Sequence, residues 1–254
     1  MRKGTIAALS AAALLGSMLA RADDVPLPNT AVKATVGVAA TSGNTSTLTA
    51  NAKFGATHTT QHHKDDVALE GLYGKQNGFV SAERWAARYQ HDWKLDEKLF
   101  LFGSLGYERD LFSGFSYQST AAVGAGYTLL NTDADKLSVQ AGVGYRRLEP
   151  MVLVKDPAGN VIQRILQPVN GEAVGTGGVS YEHTFNASTK LNEKFGIIYG
   201  SDNTEMKNDI ALQVKMSKVL ALSLDYLVTY NSNPPAGLVR TDTITTFNLV
   251  YEKK

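Results

Sequence analysis

The sequence predicts an all-β fold: a transmembrane antiparallel up-and-down β-barrel of about twelve strands, preceded by a cleaved signal peptide. Three observations predict it. A period-two alternation of apolar and polar residues restarts roughly a dozen times after Ala22. Short connections alternate with longer ones along the chain, and aromatic residues gather where the alternating segments end.

The first 22 residues have the pattern of a secretory signal peptide. Arg2 and Lys3 precede a short apolar run that closes on the small-residue site Ala20-Arg21-Ala22. We therefore expect an exported protein whose barrel domain comprises residues 23–254. Removal of the peptide lowers the Lys and Arg count from 25 to 22 against 24 acidic residues, so no nucleic-acid partner is expected. Cysteine is absent, which excludes a disulfide framework and a lipoprotein anchor.

The alternation is clearest between residues 113 and 131. One phase holds Phe115, Tyr117, Ala121, Val123, Ala125, Tyr127 and Leu129, and the other holds Ser116, Gln118, Thr120, Ala122, Gly124, Gly126 and Thr128. Successive strand side chains point to opposite faces, so one face of this segment is apolar and the other polar. Soluble antiparallel sheets alternate in the same way, so alternation alone does not distinguish them from membrane barrels. The lengths of the connections and the positions of the aromatic residues must make that distinction.

The predicted strands lie at approximately 31–42, 45–59, 65–76, 80–93, 98–110, 114–130, 136–148, 172–186, 190–202, 206–217, 219–231 and 241–251. The even-numbered connections are short, and the longer ones at 109–113, 149–171 and 232–240 are all odd-numbered. Bacterial outer-membrane barrels show this asymmetry, with short periplasmic turns and longer extracellular loops. The longest connection predicts a small hairpin that turns at Asp156-Pro157-Ala158-Gly159.

Aromatic residues sort by depth into two predicted girdles at the level of the lipid headgroups. The outer girdle comprises Trp85, Tyr107 and Tyr145, with Tyr73, Phe115, Tyr117, Tyr199 and Tyr230. The inner girdle comprises Trp93, Tyr127 and Tyr251, with Phe185 and Phe195.

Charged residues fall mostly in the polar phase, and a charge on the lipid face would cost about 2–4 kcal/mol at mid-depth. The candidate lumen-lining charges are Glu70, Arg84, Arg88, Glu108, Asp110 and Arg146. In one interpretation the arginines form a basic lining that selects anionic solutes. In the other, which the near balance of opposite charges favours, acids and bases on neighbouring strands pair and fill a narrow barrel.

Three further patterns bear on chemistry. The repeats Gly103-Ser104-Leu105-Gly106-Tyr107, Gly124-Ala125-Gly126-Tyr127 and Gly142-Val143-Gly144-Tyr145 are expected to allow curvature or close approach of inner side chains, because no helix follows them to form a nucleotide loop. The group His58, His62, His63, Asp65 and Asp66 has metal-ligand chemistry but fits a solvated turn better. His91 and His183 are the candidates for a serine hydrolase, with His183 close in sequence to Ser180 and Asn186.

Four segments carry a resemblance to a known family: 42–46 (SGNTS), 82–85 (AERW), 107–114 (YERDLFSG) and 124–127 (GAGY). Through them the chain resembles the YdiY-like salt-induced outer membrane proteins, a domain of unknown function. The resemblance implies an outer-membrane barrel with no catalytic residues to carry over, and the family name suggests a link to salt or osmotic stress. The last strand resembles the closing strands that the barrel assembly machinery recognises.

The expected function is therefore that of a non-enzymatic outer-membrane protein, with a narrow solute channel as the leading hypothesis. The expected partners are outer-membrane lipid, the assembly machinery and small solutes or ions, and no cofactor or metal is expected. A structural or adhesive barrel with a plugged lumen is the main alternative, and an outer-membrane lipid hydrolase is the third.

Overall fold

The computed structural model describes residues 30–41, 47–157, 159–234 and 238–253. The predicted signal peptide and the 42–46 motif lie outside these residues. Thirteen strands form the described chain: β1 Thr30–Thr41, β2 Thr47–Thr59, β3 His63–Gln76, β4 Phe79–Lys94, β5 Leu99–Asp110, β6 Phe115–Asn131, β7 Asp135–Lys155, β8 Val161–Leu166, β9 Asn170–Thr184, β10 Thr189–Tyr199, β11 Glu205–Lys215, β12 Leu220–Asn231 and β13 Thr241–Lys253. In this part of the chain, no helix has the length and hydropathy to cross a membrane.

Twelve of these strands form one closed antiparallel barrel, which confirms the predicted fold class. Their order around the barrel is β6-β5-β4-β3-β2-β1-β13-β12-β11-β10-β9-β7, and β6 pairs with β7 to complete the circle. β1 also meets β13, with Val32 opposite Lys253. We call the end of the barrel where β1 begins and β13 ends the terminal end, and the opposite end the loop end.

The short turns of the terminal end are held by local side-chain bonds. Asp96, between β4 and β5, accepts hydrogen bonds from the backbone N–H groups of Leu99 and Lys98, each at 2.7 Å. These two donors lower the pKa of the Asp96 carboxyl. Asn186, between β9 and β10, accepts from the N–H of Thr189 in the same way.

The long connection after β7 contains the predicted hairpin. β7 continues beyond the barrel and pairs with β8, with Met151 opposite Leu166. At its tip, Asp156 accepts a hydrogen bond from the backbone N–H of Asn160 at 2.8 Å, and Gly159 adopts a φ of 87° that favours glycine. The hairpin also reaches a neighbouring loop, because Arg164 donates to the carbonyl oxygen of Leu111.

The polarity of the barrel is the reverse of that of a soluble domain. Outward side chains are apolar and exposed, for example Val123 at 61%, Leu222 at 53% and Phe247 at 75%. The buried polar and charged side chains are Thr35, Asp92, Ser116, Arg146, Glu172, Asn203, Glu205, Gln213, Ser223, Asp225, Asn231 and Asn248. A sheet sandwich in water would bury the first set and expose the second. The apolar phase therefore faces lipid and the polar phase faces the lumen.

Phe115 departs from the predicted outer girdle, because it is only 4% exposed. The pairing of β6 with β7 shifts register between Phe115 and Tyr117. Such an irregularity changes the face on which the side chains beyond it lie. Strict alternation places Phe115 on the same outward face as Tyr117, and the register shift between them is the reason that this assignment is wrong.

Two phenylalanines occupy the space that the glycine repeats leave in the lumen. Phe102 is buried, and its ring lies against Gly124 and Gly142. Phe100 lies in the same way over Gly126. A Cβ atom at Gly124 would come within 2.2 Å of the carbonyl oxygen of Ala141 and within 2.7 Å of the Phe102 ring. These contacts agree with the expectation that the glycines allow close approach of inner side chains.

We expect Gly124→Ala to lower the free energy of unfolding by about 1–3 kcal/mol, because a backbone atom cannot yield as a flexible side chain can. Gly106→Ala is the matched control, since nothing lies within 4 Å of a Cβ at that glycine of the same repeats. Urea unfolding of the barrel in lipid vesicles measures both. Equal destabilisation by the two substitutions would contradict this account of the repeats.

Candidate functional site

The candidate functional site is the charged lumen, where side chains from opposite walls meet. Lys207 on β11 contacts Glu108 on β5, with 2.7 Å between Nζ and Oε2. The two strands are separated by at least four intervening strands in either direction around the barrel. The contact therefore passes through the interior and not along the wall.

Glu108 is the centre of an ion-pair cluster that contains three other predicted lumen charges, namely Glu70, Arg84 and Arg88. Arg84 on β4 reaches Glu108 at 3.1 Å and Glu70 at 3.4 Å. Arg88, four residues along the same strand face, reaches Glu70 at 2.9 Å and Glu108 at 3.6 Å. Because β4 lies between β3 and β5, its two arginines are placed between carboxylates on both sides.

Lys207 extends this cluster along β11. It also pairs with Glu205 at 3.1 Å, and Glu205 accepts a hydrogen bond from Gln118 on β6 at 3.3 Å. β11 is thus tied across the lumen to both β5 and β6.

A second crossing lies beside the first. Lys53 on β2 pairs with Asp209 on β11 at 3.1 Å and with Asp225 on β12 at 3.0 Å. A cavity of about 40 Å³ lies between the two crossings and is lined in part by Lys53, Glu70, Arg84 and Asp225. That volume is on the scale of one or two water molecules. The two crossings therefore narrow the middle of the lumen.

Arg146, the remaining basic candidate, lies apart from this cluster and is fully buried near the loop end. Its Nε donates to Glu172 on β9 at 3.1 Å, and its Nη2 contacts Glu172 and the carbonyl oxygen of Asn203. Glu172 also accepts from the backbone N–H of Asp202 at 2.9 Å and from the hydroxyl of Ser201 at 3.1 Å. The connection between β10 and β11 is therefore anchored over the Arg146–Glu172 pair.

Asp110, on the same face of β5 as Glu108, also has a local role at the end of its strand. Its Oδ1 accepts hydrogen bonds from the backbone N–H groups of Phe112 and Ser113 at 2.9 and 3.2 Å. This geometry orders the start of the loop between β5 and β6. Arg109 pairs with Glu83 at 3.7 Å, and both of these side chains are more than 40% exposed.

The alternation on β11 held a signal that the sequence interpretation missed. Every second residue from Glu205 to Lys215 is Glu, Lys, Asp, Ala, Gln or Lys, so Lys207 and Asp209 share the inward phase. Glu172, which neutralises Arg146, belongs to the inward phase of β9. These residues follow the same period-two rule that identified the other lumen charges.

The histidines whose metal-ligand chemistry the sequence analysis considered have other partners. His58 bonds to Thr30 at 2.9 Å, and the Nδ1 atom of His91 lies 2.7 Å from Asp65. Within the described ranges, no cluster of three or more His, Asp or Glu side chains could hold a metal ion.

The hydrolase candidate His183 bonds through Nδ1 to Asp135 at 2.8 Å. Ser180 is three residues away on the same strand and therefore lies on the opposite face, out of reach of the imidazole.

The girdle candidates divide between the two ends of the barrel. Trp85 stacks on Tyr107 at the loop-end side with 4.9 Å between ring centroids, and Tyr145 is 54% exposed. Towards the terminal end, Trp93 and Tyr127 are exposed at 45% and 41%. Tyr251 lies opposite Leu220 at the same end.

Comparisons with known proteins agree with this architecture. The family model described as "Protein of unknown function, DUF481" matches residues 34–252. "Uncharacterized protein YdiY" from Escherichia coli (strain K12) is 27% identical over 222 residues, which cover 85% of this chain and 80% of that protein. The resemblance predicted from the sequence is thereby confirmed.

Two solved barrels are similar in structure. The NanC porin gives a TM-score of 0.50 at 10% identity, over 88% of this chain and all of that chain, and shows the same kind of fold. The translocator domain of autotransporter NalP from Neisseria meningitidis gives a TM-score of 0.49 at 12% identity over 96% of each chain.

We expect Glu172→Gln to lower the free energy of unfolding by about 3 kcal/mol, because it leaves the Arg146 guanidinium buried without a counter-charge. The fluorescence of Trp85 and Trp93 during urea unfolding in vesicles provides the measurement. Glu83→Gln removes an equivalent charge from an exposed pair and should cost less than about 1 kcal/mol. A loss at Glu172 no larger than that at Glu83 would show that the buried pair is not structural.

Proposed function

Because the chain belongs to the DUF481 family of proteins of unknown function, its role must be inferred from its own lumen, and we propose that it is a narrow outer-membrane channel for small ions. In this proposal the cross-lumen ion pairs form a constriction that opens when they separate. The observation that carries it is the Lys207–Glu108 contact between opposite walls.

The composition of the lumen supports a conducting role. Charged pairs are an expensive way to fill a barrel, because each group loses hydration that its partner only partly replaces. Apolar side chains would seal the same space at lower cost. Lys53, Lys207, Glu70 and Glu108 instead retain partial exposure, with 13–29% of each side chain accessible. Groups in that position can exchange a protein partner for water or a passing ion.

The size of the constriction limits the cargo. Opposite walls are joined by the Lys207 and Lys53 crossings, and the cavity between them measures about 40 Å³. A sugar-sized solute needs several times that volume. Water and monovalent ions therefore fit the proposed path once Lys207 and Glu108 move apart.

A plugged structural barrel is the second candidate, and the anchored β10–β11 connection favours it. Arg146, Glu172 and Asn203 hold this connection at the loop end with several bonds. If that region never opens, the lumen pairs serve stability alone. Conductance separates the two candidates.

We expect purified wild-type protein to produce discrete current steps in a planar bilayer. The double variant Glu108→Gln with Lys207→Gln should spend more time open, because it removes the ionic crossing while keeping the side chains similar in size. A loss of about 1.4 kcal/mol from the closed state would raise the ratio of open to closed channels about tenfold.

The matched control is Glu83→Gln with Arg109→Gln, which removes an adjacent charge pair that does not cross the lumen. Its currents should equal those of the wild type. Silence of both wild type and the lumen variant would reject the channel and favour the plugged barrel.

Ionic strength should act on the same pairs, which would give the salt or osmotic link a physical basis. The Debye length falls from about 8 Å at 0.15 M to about 3 Å at 1 M salt, and screening weakens the partly exposed crossings. The wild-type open fraction should therefore rise with KCl concentration after correction for bulk conductivity. The Glu108→Gln, Lys207→Gln variant should show a smaller rise, because only the Lys53 crossing remains to be screened; an identical salt dependence in both proteins would refute this mechanism.

A further inference from the structure

The outward surface carries one side-chain arrangement twice, at two separate strand pairs. On β4, Tyr89 donates its hydroxyl to Asp65 Oδ1 of β3 at 2.7 Å, and His91 Nδ1 lies 2.7 Å from the same oxygen. On β9, Tyr181 donates to Asp135 Oδ1 of β7 at 2.8 Å, and His183 Nδ1 lies 2.8 Å from that oxygen. We call these the Asp65 cluster and the Asp135 cluster.

An aromatic ring completes each cluster two residues after the histidine. Trp93 packs edge-on against His91, with 4.4 Å between ring centroids and 71° between ring planes. Phe185 packs against His183 at 4.5 Å and 81°. The sequence shows the repetition as Tyr-x-His-x-aromatic at 89–93 and at 181–185, with Asp opposite the histidine on the paired strand in each case.

Both clusters lie on the lipid-facing phase at the terminal end. Asp65 shares its strand face with the exposed Val67 and Leu69, and Tyr181 shares its face with the exposed Val179. The Asp and His side chains are 22–34% exposed. A carboxylate on this face costs free energy unless it reaches the headgroup level and meets a complementary charge there.

Each cluster offers a ligand one hydrogen-bond donor and one anionic acceptor. A hydrogen bond between Nδ1 and the carboxylate orients each imidazole, and the imidazolium form of such a ring presents Nε2–H as a further donor. Both internal bonds of a cluster end on Oδ1, so Oδ2 takes no part in them and can accept from a cation. A donor and an anionic acceptor side by side match a ligand that carries a phosphodiester next to an ammonium.

We propose that the Asp65 and Asp135 clusters are two binding sites for the headgroup of a zwitterionic phospholipid with a primary ammonium. The phosphodiester oxygen accepts from the histidine Nε2, the ammonium donates to the aspartate Oδ2, and Trp93 or Phe185 lies against the upper acyl chain. An anionic headgroup without an amine leaves the carboxylate facing a like charge. A trimethylammonium headgroup has no N–H to donate. The sites do not depend on whether the lumen conducts.

Native mass spectrometry of the full chain in detergent tests the proposal with phosphatidylethanolamine, phosphatidylglycerol and phosphatidylcholine as the probes. We expect two bound phosphatidylethanolamine molecules, each held about tenfold more tightly than the other two lipids. The variant Asp65→Asn with Asp135→Asn should lose this preference, and so should His91→Gln with His183→Gln.

Tyr127→Phe is the control, because it removes a hydroxyl from an exposed aromatic at the same end that belongs to neither cluster. It should keep the preference. Gel migration of the unheated protein shows that each variant is a folded barrel. If a single-cluster variant such as His183→Gln misfolds, loss of one of the two bound lipids in His91→Gln still tests the proposal. Equal affinity for the three lipids, tighter binding of phosphatidylglycerol, or a preference that survives both double variants would overturn it.

Discussion

Closure of the sheet is the constraint on which the rest of this structure depends. Because β1 pairs with β13 and β6 pairs with β7, none of the twelve barrel strands has a free edge, and every backbone group between the ends can be satisfied within the wall. Closure also separates the two side-chain phases completely. One phase can reach only lipid, and the other can reach only the inward side chains of the same barrel. A lumen charge must therefore find its partner among the inward residues, which is why Lys207 meets Glu108 although 99 residues separate them.

The ion pairs of the lumen form two regions that differ in how easily the pairs can separate. Near the loop end, Arg146 has no exposed surface and holds Glu172 together with the backbone of the β10–β11 connection. Separating those groups would leave a charge without water or a partner. The Lys53, Lys207 and Glu70 side chains are accessible enough to be hydrated when their bonds break. Separating the charged partners therefore costs less free energy at the central crossings than at Arg146.

The sequence determined the architecture to a useful degree because alternation and connection length are local properties. Twelve barrel strands, the hairpin at Asp156 and the inward phase of Arg84 and Arg88 all follow from residues close together in the chain. Partner identity is not local. Whether Glu108 faces Lys207 depends on the register of all the strands between them, and alternation alone carries no register. Phe115 was misjudged for a related reason, since it lies where regular pairing of β6 breaks and a loop begins.

The two ends of the lumen differ, because one holds a cavity and the other holds the Arg146 anchor. At the terminal end a cavity of about 230 Å³ opens among Gln213, Lys215, Lys218 and Glu252. Between this vestibule and the Arg146 anchor lie both crossings, and β11 contributes a residue to each crossing. Glu205, Lys207, Asp209 and Gln213 follow one another along the inward face of that strand and bond to β6, β5, β2 and β13. A displacement of β11 would loosen all of these bonds together, whereas a displacement of β4 would leave its arginines between the carboxylates of its own neighbours. The contacts across the lumen are therefore organised largely around one strand.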